Sequence, residues 1–272
     1  MEMRREPTED KIKSQSDLIA NQISELPLQK GLFVKEIISQ ETEVKDLLVL
    51  DLGSGDGGTS SILSKENEVI SFDIKLNRLK KQKKSSSLNK INGNAVTLPF
   101  KNDLFDLIIL QDVIEHVNGI DKLLTEVLRV LKKGGYIYLS TPNKYSIINI
   151  MSDPHWGKPF VSLLNREQIK KYFLKYFRKS ELNRNDIAQL FSLNKINLVF
   201  DGQFVKKINT DFAVDWLLKG NEGIIWSEFH KKLLRFTKIL KADKFLLKAA
   251  NKKYGIVNNI FTPTFYFLLK KK

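Results

Sequence analysis

Cysteine is absent from the 272-residue chain, and histidine occurs only three times, at His116, His155 and His230. The first absence excludes disulfides, thiolate metal sites and cysteine nucleophiles, and it fits a reducing compartment. The scarcity of histidine confines any imidazole chemistry to three positions. No segment approaches the ~18 uninterrupted apolar residues of a membrane span. The opening "MEMRREPTEDKIKSQSD" lacks the apolar core of a secretory signal. A cytoplasmic protein, at most peripheral to a membrane, is therefore expected. What is present suffices for a packed core, with 42% hydrophobic and 10% aromatic residues. The length suits one α/β domain with a substantial addition.

The formal net charge of +14 is unevenly placed, because residues 228–272 hold twelve Lys and Arg against Glu228 and Asp243. Basicity is thus mainly a property of the tail. There, Phe229, Leu233, Phe236, Leu240 and Leu247 follow helical steps, while Lys231, Arg235, Lys238 and Lys241 fall on another face. Two readings stand: a cap helix with a solvated basic side, or a face attracted to anionic lipid or to a phosphorylated, lipid-linked acceptor. The lysine-rich "KLNRLKKQKKSSSLNK" at 75–90 reads as an exposed helix and loop.

Residues 10–46 mix charged and apolar positions at roughly helical spacing. From 47 onward, short apolar runs alternate with helical stretches. "LLVLDL" (47–52), "EVISFD" (68–73), "FDLIILQ" (105–111) and "GYIYLST" (135–141) read as parallel strands buried on both faces. "IDKLLTEVLRVLKKGG" (120–135) reads as a helix stopped by glycine. Such alternation implies an α/β fold with a doubly wound sheet. "INLVF" (196–200) and "TFYFLL" (264–269) look like two more strands. The long, largely helical stretch between them should form a structured insertion.

The segment "VLDLGSGDGG" (49–58) places Gly53, Gly55 and Gly58 in a G-x-G-x-x-G pattern where a strand enters a helix. Asp73 ends the next strand, at the position where an acid binds ribose hydroxyls. A dinucleotide would bring its pyrophosphate against this turn, where Asp51 and Asp56 oppose it. S-adenosylmethionine presents a sulfonium and an ammonium instead. An acidic glycine turn suits the cationic ligand.

These residues resemble motif I of the class I S-adenosylmethionine-dependent methyltransferases. Further segments match in order: "SFDI" (71–74), "GNAVTLPF" (93–100), "FDLIILQDVIEHV" (105–117) and "LLTEVLRVLKKGGYIYLSTPN" (123–143). The branch it looks closest to contains quinone-biosynthesis and many other small-molecule methyltransferases. The resemblance implies a mostly parallel, seven-stranded, Rossmann-like sheet. The chain's own patterning and topology divide it into an N-terminal helical segment at 1–46, a cofactor-binding core at 47–204, a helical insertion at 205–260, and a final strand with a basic end at 261–272. Asp51, Gly53 and Gly55 would shape the methionine end of the cofactor site. Asp73 would take the ribose, Ile74 would pack on adenine, Asn94 and the Ala95 amide would meet its edge, and Gln111 would face the methionine moiety.

"DVIEH" has two readings. Asp112, Glu115 and His116 at i, i+3 and i+4 share a helix face and could hold a divalent ion. Asp112-x-x-Glu115 is also the spacing of a capping box, which is preferred, and no metal is assigned. In "SDPHWG" (152–157), His155 is either a surface histidine or a general base, and His116 is a second candidate for proton removal. Asn143, Tyr145 and Trp156 are candidates for the acceptor pocket. Transfer of a methyl group to a small-molecule acceptor, with oxygen methylation of a lipid-, quinone- or sugar-type substrate in view, is the leading expectation. RNA methylation and a non-catalytic cofactor-binding scaffold are the alternatives. The chain shows no N/D-P-P-Y/F motif after the fourth strand, and charge alone does not make a nucleic-acid site.

Overall fold

The computed structural model describes residues 25–82, 85–184, 186–221, 228–250 and 255–272. Seven strands are present: β1 (Leu48–Leu52), β2 (Glu68–Asp73), β3 (Leu88–Asn92), β4 (Phe105–Gln111), β5 (Leu131–Pro142), β6 (Phe204–Ile208) and β7 (Thr264–Lys271). They form one sheet in the order β3-β2-β1-β4-β5-β7-β6. Strands β1 to β5 pair in parallel. Strand β7 runs antiparallel to both β5 and β6. This is a doubly wound, mostly parallel, Rossmann-like sheet. Its strand order reverses between β1 and β4, and the carboxyl ends there open the crevice where such sheets bind ligands.

The apolar runs in β1, β4 and β5 follow from burial on both faces. Leu50, Leu52, Ile108, Leu110, Ile137 and Leu139 pack to one side, and Val49, Leu107, Ile109 and Tyr138 to the other. Helix α1 (residues 25–39) covers the second side with Phe33, Val34, Ile37 and Ile38. Helices α2 (Gly58–Leu63) and α3 (Leu76–Lys81) follow β1 and β2. Helix α4 (Ile120–Val130) covers the first side with Leu123, Val127 and Val130.

Three expectations are corrected. "INLVF" is not a strand: Leu193–Val199 is a helix whose Ser192 side chain accepts from the Lys195 N–H at 3.2 Å. Leu193, Ile196 and Phe200 are buried at helical spacing, and the strand that pairs with β7 comes later, at Phe204–Ile208. The 75–90 segment contains not only α3 but also the edge strand β3, in which Leu88 is the one buried residue. The helix expected over 120–135 stops at Val130, where the backbone extends into β5.

Between β6 and β7 the described chain forms helices at Thr210–Leu218, Glu228–Ile239 and Asp243–Ala249 and a π-turn at Val257–Phe261. Its return is pinned by a buried polar network. Asn143, at the exit of β5, donates to the carbonyls of Asn258 (3.3 Å), Asn259 (2.8 Å) and Thr262 (2.8 Å). Asn149 donates to the carbonyls of Asn143 (2.8 Å) and Pro263 (2.7 Å). Thr210 and Thr262 both donate to the Asn258 side chain. Among the described residues no helix is long and apolar enough to cross a membrane.

Asn143→Ala should therefore lower the unfolding free energy by about 1–3 kcal/mol for each buried carbonyl left unpaired. Urea unfolding reads this directly. A loss below ~0.5 kcal/mol, the range of an ordinary surface change, would show that the network does not hold the insertion.

Candidate functional site

The chain leaves β1 through a turn that admits no side chain at Gly53. Its φ is +77°, and a Cβ there would lie 2.5 Å from Val113 Cγ2. The turn is held against β2 because the N–H groups of Gly53 (2.7 Å) and Ser54 (3.1 Å) both donate to the Phe72 carbonyl. The third glycine of the pattern serves packing. A Cβ on Gly58 would lie 2.2 Å from the Pro27 carbonyl oxygen, so α2 sits hard against the start of α1. Gln82, which sequence reasoning missed, braces the turn by donating to Ser54 Oγ (3.0 Å) and the Gly55 carbonyl (2.8 Å).

The two loop aspartates do not act as expected. Asp51 is buried and accepts from the Ser60 hydroxyl, which in turn meets Ser71. It supports the turn from beneath, and burial pushes its carboxyl up to about 6. Asp56 is exposed and paired with the Arg78 guanidinium at 3.2 Å, a second residue missed from sequence. The Arg78 hydrogen bond lowers the Asp56 carboxyl below its ordinary value. Neither aspartate therefore presents an unmatched charge to a ligand at the turn. Asp73 remains: its Oδ2 accepts from the Gly55 N–H (2.8 Å) and its Oδ1 from the Lys75 N–H (2.7 Å).

Beside it, Ile74 is 66% exposed at the end of β2, an apolar side chain left in the open. Asn94 is exposed, and its Oδ1 accepts from the Val96 N–H at 3.2 Å, which orders the turn around Ala95. Gln111, at the end of β4, accepts from Thr59 Oγ1 of α2 at 2.7 Å. The structure thus brings Gly53, Gly55, Asp73, Ile74 and Gln111 to the carboxyl ends of three neighbouring strands.

The "DVIEH" segment is not a helix N-terminus, which corrects the capping-box reading. Residues 112–119 form turns, Asp112 has φ +54°, and the next helix begins only at Ile120. Asp112 accepts from Ser140 Oγ (2.9 Å) and Lys30 Nζ (3.4 Å). Glu115 is fully buried; Oε2 accepts from Thr141 Oγ1 at 3.0 Å, and Oε1 has no partner among the described residues. Burial, then the nearby Asp112, pushes the Glu115 carboxyl up to about 8.

His116 and His155 meet edge to face, with ring centroids 5.1 Å apart. His116 Nδ1 lies 3.3 Å from the Asp186 carbonyl. Burial lowers the His116 imidazole, and burial together with His116 lowers His155 to about 4. The His155 loop is set by Asp153, whose Oδ1 accepts from the N–H groups of His155 (2.8 Å) and Trp156 (2.9 Å). One ligand atom each from Glu115, His116 and His155 lie within 4.8 Å of one another. The two histidines named from sequence are thus joined by Glu115.

Two acceptor-pocket candidates are corrected. Asn143 is fully buried and its amide is used on backbone carbonyls. Trp156 is buried in a small core with Phe173 and stands beneath the guanidinium groups of Arg178 and Arg184. Tyr145 is half exposed. Arg166, unnoticed in the sequence, ties the segment after β5 to the loop after β4 by donating to the carbonyls of Glu115 (2.8 Å), Val117 (3.3 Å) and Ile187 (2.7 Å).

Residues 50–139 match the family model of the methyltransferase domain. The chain is 40% identical over 124 residues to the uncharacterized protein MJ0638 of Methanocaldococcus jannaschii, covering 43% of this chain and 53% of that protein. It is 32% identical over 122 residues to the ubiquinone biosynthesis O-methyltransferase of Pelagibacter ubique, covering 40% and 48% respectively. The chain thus spans about half the length of the curated relatives it matches. Its fold is also that of Haemonchus contortus phosphoethanolamine N-methyltransferase 2, solved in complex with S-adenosyl-L-methionine. That match has a TM-score of 0.53 and 16% identity, and covers 89% of this chain and 52% of that one.

Asp51 generates a pH prediction. Its folded carboxyl is raised to about 6 from 3.8, so the folded protein holds this proton longer than the unfolded chain. The associated stability is complete below the unfolded value and is lost as pH rises between the two. Asp51→Asn removes this titration. From pH 4 to 7, urea unfolding of the variant should gain on the parent by up to about 3 kcal/mol. A difference independent of pH would show that Asp51 is not held protonated.

Proposed function

We propose that this chain, which carries a methyltransferase domain over residues 50–139, binds S-adenosylmethionine at the carboxyl ends of β1, β2 and β4 and methylates an oxygen of a small-molecule acceptor. One juxtaposition carries this reading. The glycine turn with Asp73 stands at the strand ends beside a loop that holds Glu115 and His116 and meets His155. The name of the Pelagibacter relative, an O-methyltransferase of quinone biosynthesis, supports an oxygen acceptor of the quinone or related lipid kind.

The residues fit the cofactor. Each Asp73 oxygen accepts one backbone N–H and keeps capacity for a second hydrogen bond, which a ribose hydroxyl would use. Ile74 offers apolar surface to the adenine, with Asn94 and Ala95 at its edge. Gly53 and Gly55 leave the turn bare for the methionine end, and Gln111 faces it. When bound, S-adenosylmethionine supplies an electrophilic methyl carbon on a sulfonium. The chain's task is then to place the acceptor in line and to manage its proton, since positioning is a large share of such catalysis. We assign the Glu115, His116 and His155 cluster as the place where the acceptor hydroxyl is held and loses its proton.

Calorimetry should show S-adenosylhomocysteine binding and no comparable binding of NAD. Incubation with quinol, lipid and sugar acceptors should yield S-adenosylhomocysteine. Asp73→Ala should weaken cofactor binding roughly ten- to a hundred-fold, from the loss of hydrogen bonds to a charged acceptor worth about 1.5–3 kcal/mol each. Tighter binding of NAD than of S-adenosylhomocysteine would overturn the cofactor assignment.

The basic helix Glu228–Ile239 supports a further partner. Lys232 and Arg235 are exposed on it, and Phe236, Ile239 and Leu240 are more than half exposed beside them. Phe229 and Leu233 of the expected apolar stripe have side chains outside the described residues. Basic and apolar groups together suit an anionic lipid surface. Co-sedimentation with anionic vesicles should fall with salt and with Lys231→Ala, Arg235→Ala and Lys238→Ala combined. Equal co-sedimentation with neutral vesicles would leave a solvated helix face.

A further inference from the structure

We propose that the turn after β5 recognises an oxyanion on the methyl acceptor, with the Lys144 ammonium as its counter-charge and the Tyr145 ring beside it. The proposal rests on the methyl-transfer reading above and adds the acceptor's charge: the molecule that brings a hydroxyl to the crevice also carries a carboxylate or a phosphate.

Four cations around this end of the sheet have acids of their own. Lys30 pairs with Asp112 at 3.4 Å, Lys75 with Asp186 at 2.6 Å, and Arg178 and Arg184 with Glu181 at 2.9 and 2.6 Å. Lys144 has neither an acid nor a hydrogen-bond partner among the described residues. Its Nζ lies 5.9 Å from the centroid of the Tyr145 ring. Partial burial alone acts on the ammonium and lowers it from its ordinary value. A half-buried charge without a counter-ion is costly, and a ligand oxyanion removes that cost. All three ammonium donors remain to meet it.

The backbone fixes this lysine beside the Glu115 loop. The Lys144 N–H donates to the Phe191 carbonyl at 3.0 Å, and Asn143 bridges to Phe191. Asn143 Oδ1 accepts from the Tyr145 N–H at 3.0 Å. Both segments that meet here also hold Glu115. Thr141, three positions before Lys144, bonds its carboxyl at 3.0 Å. The N–H of Gln189, two positions before Phe191, bonds its carbonyl at 2.9 Å. Three extended residues span about 10 Å, which is within the length of a small acceptor. A molecule whose hydroxyl meets Glu115 and His155 thus has its far end at Lys144.

Two more side chains of the turn suit such a ligand. Tyr145 is half exposed and offers a ring face. Ser146 is fully buried, yet its hydroxyl has no partner among the described residues and caps no N–H of the short helix that follows. Buried hydroxyls are nearly always hydrogen-bonded, and this one can turn toward an oxyanion held by Lys144. An ammonium is a point charge with rotatable donors, so it takes a carboxylate or a phosphate alike.

The full chain is titrated by calorimetry with protocatechuate and with catechol, which share a ring and two hydroxyls and differ by one carboxylate. Protocatechuate should bind at least tenfold tighter, as expected for one hydrogen bond between charged groups, and salt should reduce the preference. Lys144→Gln should abolish the preference and Lys144→Arg should keep it. Because no acid pairs with Lys144, Lys144→Gln should unfold at the parental urea midpoint. Competition by benzoate and by phenyl phosphate tells a carboxylate from a phosphate as the favoured anion. Acetylation read by mass spectrometry should show Lys144 protected by protocatechuate and not by catechol, with Lys75 labelled equally in both. Equal binding of the two probes by the parent, or a parental preference in Lys144→Gln, overturns the oxyanion site. Loss of S-adenosylhomocysteine binding is a separate matter: its absence beside an intact preference for the acid overturns the methyl-transfer reading and leaves the anion site standing.

Discussion

Everything at the ligand end of this molecule depends on how closely the turn after β1 approaches its neighbours. Gly53 takes a left-handed conformation within van der Waals reach of Val113, and both it and Ser54 hang from the carbonyl of Phe72. Any side chain at Gly53 would push β1 away from the loop that follows β4. That loop carries Glu115 and His116. The glycine therefore fixes how two loops approach each other. It sets the distance between the glycine turn and the loop that carries Glu115 and His116.

Buried carboxylates give the crevice its electrostatic character. Asp51 lies under the turn against Ser60, and Glu115 lies in the loop after β4 against Thr141. Both are raised by burial, whereas the exposed acid Asp56 is matched by Arg78. Burial thus favours the neutral, protonated form of both buried acids, because a bare carboxylate in low dielectric is costly.

The surroundings of His116 and His155 are assembled from chain far from the glycine turn. Arg166 reaches back to the carbonyls of the loop after β4, and the Trp156 and Phe173 cluster stiffens the segment that delivers His155. Behind it, the Asn143 network closes the long excursion between β6 and β7. A polar network of this kind is stabilising only when all its members are satisfied. It holds the chain's return to one geometry, and so the base of the loop after β5 as well.

The amino-acid sequence by itself determined the central sheet and the turn. β1, β2 and β4 are short apolar runs between breakers, and Gly53, Gly55 and Asp73 lie at spacings that local chain geometry imposes. Periodicity failed where the signal is weak. β3 and β6 are edge strands rich in lysine or asparagine with few buried positions, and "INLVF" is apolar enough to pass for a strand although Ser192 caps it as a helix. In the site, the histidines were legible as rare residues in suggestive loops. Their union with Glu115, the pairing of Asp56 with Arg78 and the conversion of Asn143 and Trp156 into structural residues were not. Each depends on contacts between segments remote in sequence. Such contacts are set by how the loops after β4 and β5 pack against α1 and the segment around Arg166, and only the tertiary structure decides that packing.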